Sequence, residues 1–178
     1  QVFRAKLKTG EKVVIKIQRE NIRPVVEADL GIMKNLAKTL EKYYDVLKRM
    51  SISEIVESFE KMLNEELSLN NELNNMLRFA NNFKNDSRIH VPVVYKTLSN
   101  DRILTMEMIE GFKITDAENI IKIGIETKKV ARTGLDLYLT QFLKHGFFHA
   151  DPHPGNIFIK ENGQIVFIDF GAMGRLYP

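Results

Sequence analysis

An aspartate, an asparagine and a second aspartate, Asp151, Asn156 and Asp169, follow one another at separations of five and thirteen residues. The first two lie in His149-Ala150-Asp151-Pro152-His153-Pro154-Gly155-Asn156 and the third opens Asp169-Phe170-Gly171. Between them the runs Ile157–Lys160 and Gln164–Ile168 flank Glu161-Asn162-Gly163, the pattern of a short β-hairpin. A hairpin of that length returns the chain to its starting point, so it brings Asn156 and Asp169 together. Pro152 and Pro154 stiffen the loop before it, and Gly171 lets the backbone turn sharply after it. Whatever fold the chain adopts must hold loop, hairpin and turn as one unit.

The rest of the chain supplies strands and helices to do so. Val2–Leu7 and Lys12–Gln18 are β-rich and joined through Thr9-Gly10, a hairpin signal. Alternation in Val13-Val14-Ile15-Lys16-Ile17 turns Val14 and Lys16 to one face. Apolar residues from Val25 to Leu47 recur at three and four, which predicts an amphipathic helix over about 24–49. A second is expected over 52–81, from Ile55 to Phe79, with Ser51 or Ser53 as its cap. Strands are then expected at Val91–Leu98 and Arg102–Ile109 around Ser99-Asn100-Asp101. A short helix capped by Thr115 or Asp116 and a longer one over about 125–145 lead into the loop. The order predicts an α+β fold: a sheet-plus-helix lobe over 1–111, then the start of a helical lobe over 112–178.

Composition narrows the function classes. Over 178 residues, net charge is only +3 and the basic residues are scattered, so a nucleic-acid role gains no support. The chain has no cysteine, which excludes disulfides and thiolate metal sites. No apolar run approaches the roughly 18–20 residues of a membrane helix, and no signal peptide is visible. The start at Gln1-Val2-Phe3-Arg4 and the stop soon after Asp169-Phe170-Gly171 suggest a piece of a longer protein.

Two acids and an amide brought together suit phosphoryl transfer, which needs a group to orient the acceptor and oxygen ligands for Mg²⁺. Asp151 is the candidate to orient an acceptor hydroxyl or water and take its proton. Asn156 and Asp169 are the candidate metal ligands, since Mg²⁺ prefers oxygen donors and keeps several waters. Lys16, in an apolar strand where a lysine needs a partner, is the candidate phosphate-binding ammonium. Its carboxylate is expected on the second long helix, from Glu65, Glu66 or Glu72. Glu66 and Glu72 lie about 9 Å apart along a helix axis and cannot do the same job. Backbone groups near Glu107 and Met108, on the strand between the lobes, could hold an adenine ring. His149, Asp151 and His153 also form an H-x-D-x-H cluster like a transition-metal site. No matching cluster lies elsewhere, and the two histidines are read as packing or hydrogen-bonding residues of the loop.

Taken together, these residues resemble the UbiB (aarF-domain) atypical kinases, which include the coenzyme Q8-type proteins. The resemblance rests on Val14-Ile15-Lys16-Ile17-Gln18-Arg19, Glu65-Glu66-Leu67 with Asn71-Glu72 and Arg78-Phe79, Ile109-Glu110-Gly111, the His149–Asn156 string and Asp169-Phe170-Gly171. It implies a protein-kinase-like fold that binds ATP with Mg²⁺. Lys16 would be the ATP-phosphate lysine, Glu72 its helix partner, Asp151 the catalytic aspartate, and Asn156 and Asp169 the metal ligands. Glu66 matches the glutamate of the family's E-x-D motif, whose aspartate is Ser68 here. Ala150 stands where protein kinases carry arginine, so control through that arginine is not expected.

The same resemblance implies an atypical kinase or ATPase supporting ubiquinone biosynthesis, cytoplasmic and peripheral to or anchored at a membrane. Lipid or quinone intermediates and quinone-biosynthesis proteins would be its partners. A family extension bearing K-x-G-Q, an Ala-rich nucleotide loop and membrane-anchoring C-terminal helices would lie outside this chain. The alternatives are a non-catalytic nucleotide-binding scaffold and a protein kinase.

Overall fold

The computed structural model describes residues 1–176. Strands β1 (Val2–Lys6) and β2 (Lys12–Ile17) form the hairpin expected at Thr9-Gly10, with Gly10 at φ +108° closing the turn. The predicted helix over 24–49 begins at Ile22 and is two helices, α1 (Ile22–Tyr43) and α2 (Asp45–Arg49). Tyr44, extended at φ −131° and ψ 103°, breaks it. The helix predicted over 52–81 also divides, into α3 (Ile52–Glu66) and α4 (Leu69–Asn82). Its break is Ser68, extended at φ −91° and ψ 105°, whose side chain accepts the Asn71 N–H as the cap of α4. Neither Ser51 nor Ser53 caps α3 with its own oxygen. Instead Glu41 of α1 accepts the Ser53 N–H at 2.8 Å and its hydroxyl at 2.7 Å.

Beyond α4 the chain passes through β3 (Ile89–His90), then β4 (Ile103–Glu107) and β5 (Phe112–Lys113). The strand predicted over Val91–Leu98 is mostly irregular. Pro92 has no N–H to offer a ladder, and Lys96–Leu98 coils into a 3₁₀ turn. The segment still runs beside β4: Glu107 N–H donates to Val93 C=O at 2.8 Å and Tyr95 N–H to Thr105 C=O at 2.9 Å. Asp116 caps α5 (Ala117–Lys122), accepting the Asn119 N–H at 3.3 Å. The helix expected to reach His145 is α6 (Thr127–Leu139), which widens into a π turn at Thr140–Lys144. Then come β6 (Phe147–His149), the hairpin β7 (Ile157–Ile159) and β8 (Ile165–Phe167), and β9 (Met173–Arg175).

Among the described residues the strands form three sheets, ordered β1-β2-β4, β3-β8-β7-β5 and β6-β9. The α+β class is therefore as expected. One apolar core runs across the expected lobe boundary after Gly111, joining Leu73, Met76 and Phe79 of α4 to Leu137 of α6 and Ile159 of β7. At that boundary a Cβ on Gly111 would lie 2.5 Å from the Ile159 carbonyl oxygen, so β5 can pair with β7 only with glycine there.

Phe79 is fully buried and sits at the centre of that core. Its ring meets Phe83 at 4.8 Å, Phe167 at 5.9 Å and Phe170 at 5.0 Å between centroids. It thus joins α4 to the end of the hairpin and to the turn that follows. Phe79→Ala is expected to lower unfolding free energy by about 3–5 kcal/mol, read from urea denaturation midpoints at unchanged slope.

Candidate active site

Helix α4 presents Glu72 and, three residues on, Asn75 from one face. Both are buried. Glu72 Oε1 accepts from the Lys16 ammonium at 2.5 Å and from the Phe170 N–H at 3.2 Å. Asn75 Nδ2 donates to the Phe170 C=O at 2.9 Å. Two side chains of α4 therefore hold both backbone polar groups of Phe170, in the peptides on either side of its Cα, while the Phe170 ring is fully buried against Phe79. Immediately before it, Asp169 turns its carboxylate back to accept the Gly171 N–H at 3.2 Å and lies 3.5 Å from Lys16 Nζ. Lys16 thus stands between a buried carboxylate and a half-exposed one.

Burial pushes the Glu72 carboxyl above its ordinary value of 4.5, and the charge of Asp169 pushes the same way. The Lys16 ammonium and the Phe170 N–H pull it back. Glu66, on the exposed end of α3, lies on the rim of the same cavity of about 190 Å³, with Lys16, Glu72, His149, Asp151, Asn156 and Asp169 around the wall.

The loop from β6 to β7 is fixed at both ends. Ala150 N–H donates to Ala172 C=O at 3.0 Å, continuing the antiparallel β6–β9 pair. At the other end Ile168 N–H donates to Asn156 C=O at 3.1 Å, which places Asn156 one residue from Asp169. His153 accepts the Gly155 N–H on Nδ1 at 3.0 Å and so caps the turn Pro154–Asn156. Asp151 is exposed on this loop, facing the cavity.

His149 is 1% exposed, its ring between Phe167 at 5.6 Å and Phe170 at 5.8 Å. The two histidines of the H-x-D-x-H cluster therefore part, one into the core and one onto its own turn. Among the described residues no group of three His, Asp or Glu side chains converges in metal-holding geometry. The oxygen set of Asp169, Asn156 and Asp151 on one small cavity does suit a hard cation that retains water and shares phosphate oxygens.

At Glu107 and Met108, near which an adenine contact is expected, both amide N–H groups are engaged within the fold. The Met108 N–H donates to Lys12 C=O at 3.0 Å, within the sheet, and the Glu107 N–H donates to Val93. The Glu107 carboxylate turns to His90 Nε2 at 2.8 Å and Val93 N–H at 3.1 Å, fastening the irregular segment beside β4. Ser68 caps α4 and donates to Asp101 at 2.6 Å. Asp101 also pairs with Arg23 of α1, so the serine belongs to a surface clasp of α1, α4 and the turn before β4.

Sequence reasoning missed two residues. Asn75 had a signal, its i+3 spacing from Glu72. Gln141 had none: its fully buried side chain accepts the His149 N–H at 2.9 Å only because the helix widens at that point.

Burial holds His149 below its ordinary value of 6.5 and neutral at physiological pH, against an opposing pull from Asp169. An unfolded chain would protonate this ring as pH falls below 6.5, while the folded one resists. Its contribution to stability is complete above 6.5 and is lost on acidification, by up to about 1.4 kcal/mol per pH unit. Urea unfolding at a series of pH values should show that slope, and His149→Gln should flatten it.

The whole chain, residues 1–178, matches the ABC1 atypical kinase-like domain family. It is 42% identical over 178 residues to the uncharacterised protein slr1919 of Synechocystis sp., covering all of this chain and 31% of that protein. It is 37% identical over 181 residues to the probable protein kinase UbiB of Aliivibrio salmonicida, covering 99% of this chain and 33% of that protein. Among solved structures it is similar to the Rv3197–erythromycin complex of Mycobacterium tuberculosis. The TM-score there is 0.73 at 28% identity, over 98% of this chain and 43% of the other. The chain thus spans about a third of the length of these curated relatives. Its family is shown along its entire length: this chain belongs to the ABC1 atypical kinase-like domain family.

Proposed function

We propose that this chain is the nucleotide-binding and catalytic part of an atypical kinase or ATPase that uses ATP with Mg²⁺. The observation that carries the reading is Lys16, held at 2.5 Å by Glu72 and 3.5 Å from Asp169 on the wall of the cavity that Asp151 and Asn156 share. A lysine so placed offers a positive charge to phosphate oxygens while its buried partner fixes its direction. Asp169 and Asn156 would hold Mg²⁺, which when bound neutralises charge on the phosphates. Asp151 would orient the acceptor oxygen and take its proton. A bond forms from that oxygen to the γ-phosphorus, the bond to the β-phosphate oxygen breaks, and ADP leaves.

The likeness to UbiB supports a role in ubiquinone biosynthesis, with a lipid or quinone intermediate as the acceptor's class and a membrane as the setting. No helix among the described residues is long and apolar enough to cross a membrane. Coupling to quinone-biosynthesis proteins belongs to the same proposal.

Calorimetric titration of the whole protein with ATP, with and without Mg²⁺, tests the reading. Binding is expected to require Mg²⁺ for full affinity. Asp169→Asn is expected to lower turnover by about a hundredfold or more, as the loss of a group acting on transition-state charge does. Lys16→Ala should weaken nucleotide binding as well. Binding without turnover, unaltered by Asp169→Asn, would favour a non-catalytic scaffold; absence of nucleotide binding would sink both.

Glu72 adds a pH test. Its raised value means that acidification neutralises it already above pH 4.5 and so releases Lys16 from its charged partner. The folded form binds that proton more tightly than the unfolded chain, so the fold gains stability there while the site loses order. Turnover should therefore fall through an acidic limb above pH 4.5, to which the Glu72 titration adds no loss of thermal stability of its own. Glu72→Gln should remove the limb and lower the plateau.

A further inference from the structure

Gln141 lies outside the cavity wall and touches none of the groups assigned to the reaction. It is nevertheless fully buried, and its Nε2 has no hydrogen-bond partner. A core position that merely needed filling would be better served by a leucine, because an unpaired amide is costly in a dry interior. Retaining an amide there calls for a job that leucine cannot do. The Oε1 atom has one: it accepts the His149 N–H at 2.9 Å.

The ladder explains why that N–H needs an acceptor. Ala150 N–H points across to Ala172 on the β9 side. Adjacent amides of a strand point to opposite edges, so the His149 N–H faces away from β9. Among the described residues no strand pairs with β6 on that edge. Gln141 takes the place of one, and α6 must widen into the π turn Thr140–Lys144 to deliver it. π turns inside helices recur at functional sites. Here the turn is braced against β6 by Phe142 on Phe148 at 4.6 Å, and His145, just after it, packs at 5.0 Å on Phe83, which caps the end of α4. Asp151 follows His149 by two residues, on an exposed loop whose entry this bond defines.

We propose that Gln141 is a positioning residue for the catalytic loop, holding the His149 backbone so that Asp151 meets the acceptor oxygen; this rests on the function proposed above. It acts on the loop as Asn75 acts on Phe170, by a buried amide gripping a backbone group from a neighbouring helix. Gln141 bonds to the His149 backbone and to neither the Lys16 nor the Asp169 side chain, so its loss should be felt first at Asp151, in the chemical step.

The test uses Gln141→Leu and Gln141→Glu in the whole protein. Gln141→Leu is expected to lower kcat about tenfold to a hundredfold, the scale of a small misplacement of a reacting group. The KM for MgATP should stay within about twofold, as expected when a contact made in the transition state alone is lost. Gln141→Glu keeps the acceptor oxygen and should restore most of the turnover. Amide hydrogen exchange provides a readout independent of activity: the His149 N–H should exchange faster in Gln141→Leu and at the unsubstituted rate in Gln141→Glu.

Unchanged His149 exchange and kcat in Gln141→Leu would overturn the proposal. So would a parallel fall of kcat, nucleotide affinity and Tm in both variants, which marks a packing role. Should the unsubstituted protein turn over no ATP, the enzyme reading fails. Exchange at His149 then decides the tether alone: faster exchange in Gln141→Leu upholds it and unchanged exchange removes it.

Discussion

A single buried oxygen, Glu72 Oε1, accepts from the Lys16 ammonium and from the Phe170 backbone. Through it the β1-β2-β4 sheet, helix α4 and the Asp169-Phe170-Gly171 turn share one point. An isolated carboxylate at that depth would be driven to its neutral form. The lysine and the peptide N–H compensate it, but only while sheet, helix and turn stay where they are. Lys16 and Asp169 are therefore brought near one another by a group that need never touch a substrate. The rest of the architecture maintains this geometry: Phe79, two turns along α4 on the same face as Glu72, packs on the Phe170 ring, and Asn75 holds the Phe170 carbonyl while Glu72 holds its N–H.

The site was more legible in the sequence than the elements that carry it. Asp151, Asn156 and Asp169 lie on a loop and hairpin whose turn chemistry is local, so spacing was enough to bring them together. Asp116 could be read as a cap for the same reason. The breaks at Tyr44 and Ser68 were not legible, because apolar periodicity continues across both while the backbone does not. Each follows from where the next helix must dock: Ser68 is fixed by Asp101 and by its own capping bond, neither visible in a count of apolar positions. The pairing of β6 with β9 joins residues over twenty positions apart through three-residue strands, too short to show alternation. The π turn is a tertiary effect in the same sense. Glu107 and Met108 show the converse: the strand was legible, but the ladder and His90 determine where their polar groups go.

Family membership and local geometry bear on different questions. The match over residues 1–178 establishes the kind of domain. The bonds around Lys16, Phe170 and His149 show how this chain builds the arrangement, including the parts that Ser68 and Gln141 play in it. The serine at 68 illustrates the point. It donates to Asp101, which is already held by Arg23, so an aspartate at 68 would face a like charge across the same clasp.

The grip on Phe170 has a consequence for inhibitor chemistry. Its peptide is held on both sides by α4 and its ring is fully buried among aromatic neighbours. A compound that works only with this phenylalanine swung outward must first break both bonds and empty that aromatic pocket. A compound that leaves the phenylalanine seated and contacts Lys16 and Asp169 from the open side of the cavity meets no such toll. Selectivity for this chain is then to be sought at the rim, where Glu66 and Asp151 supply charge, and not behind the ring.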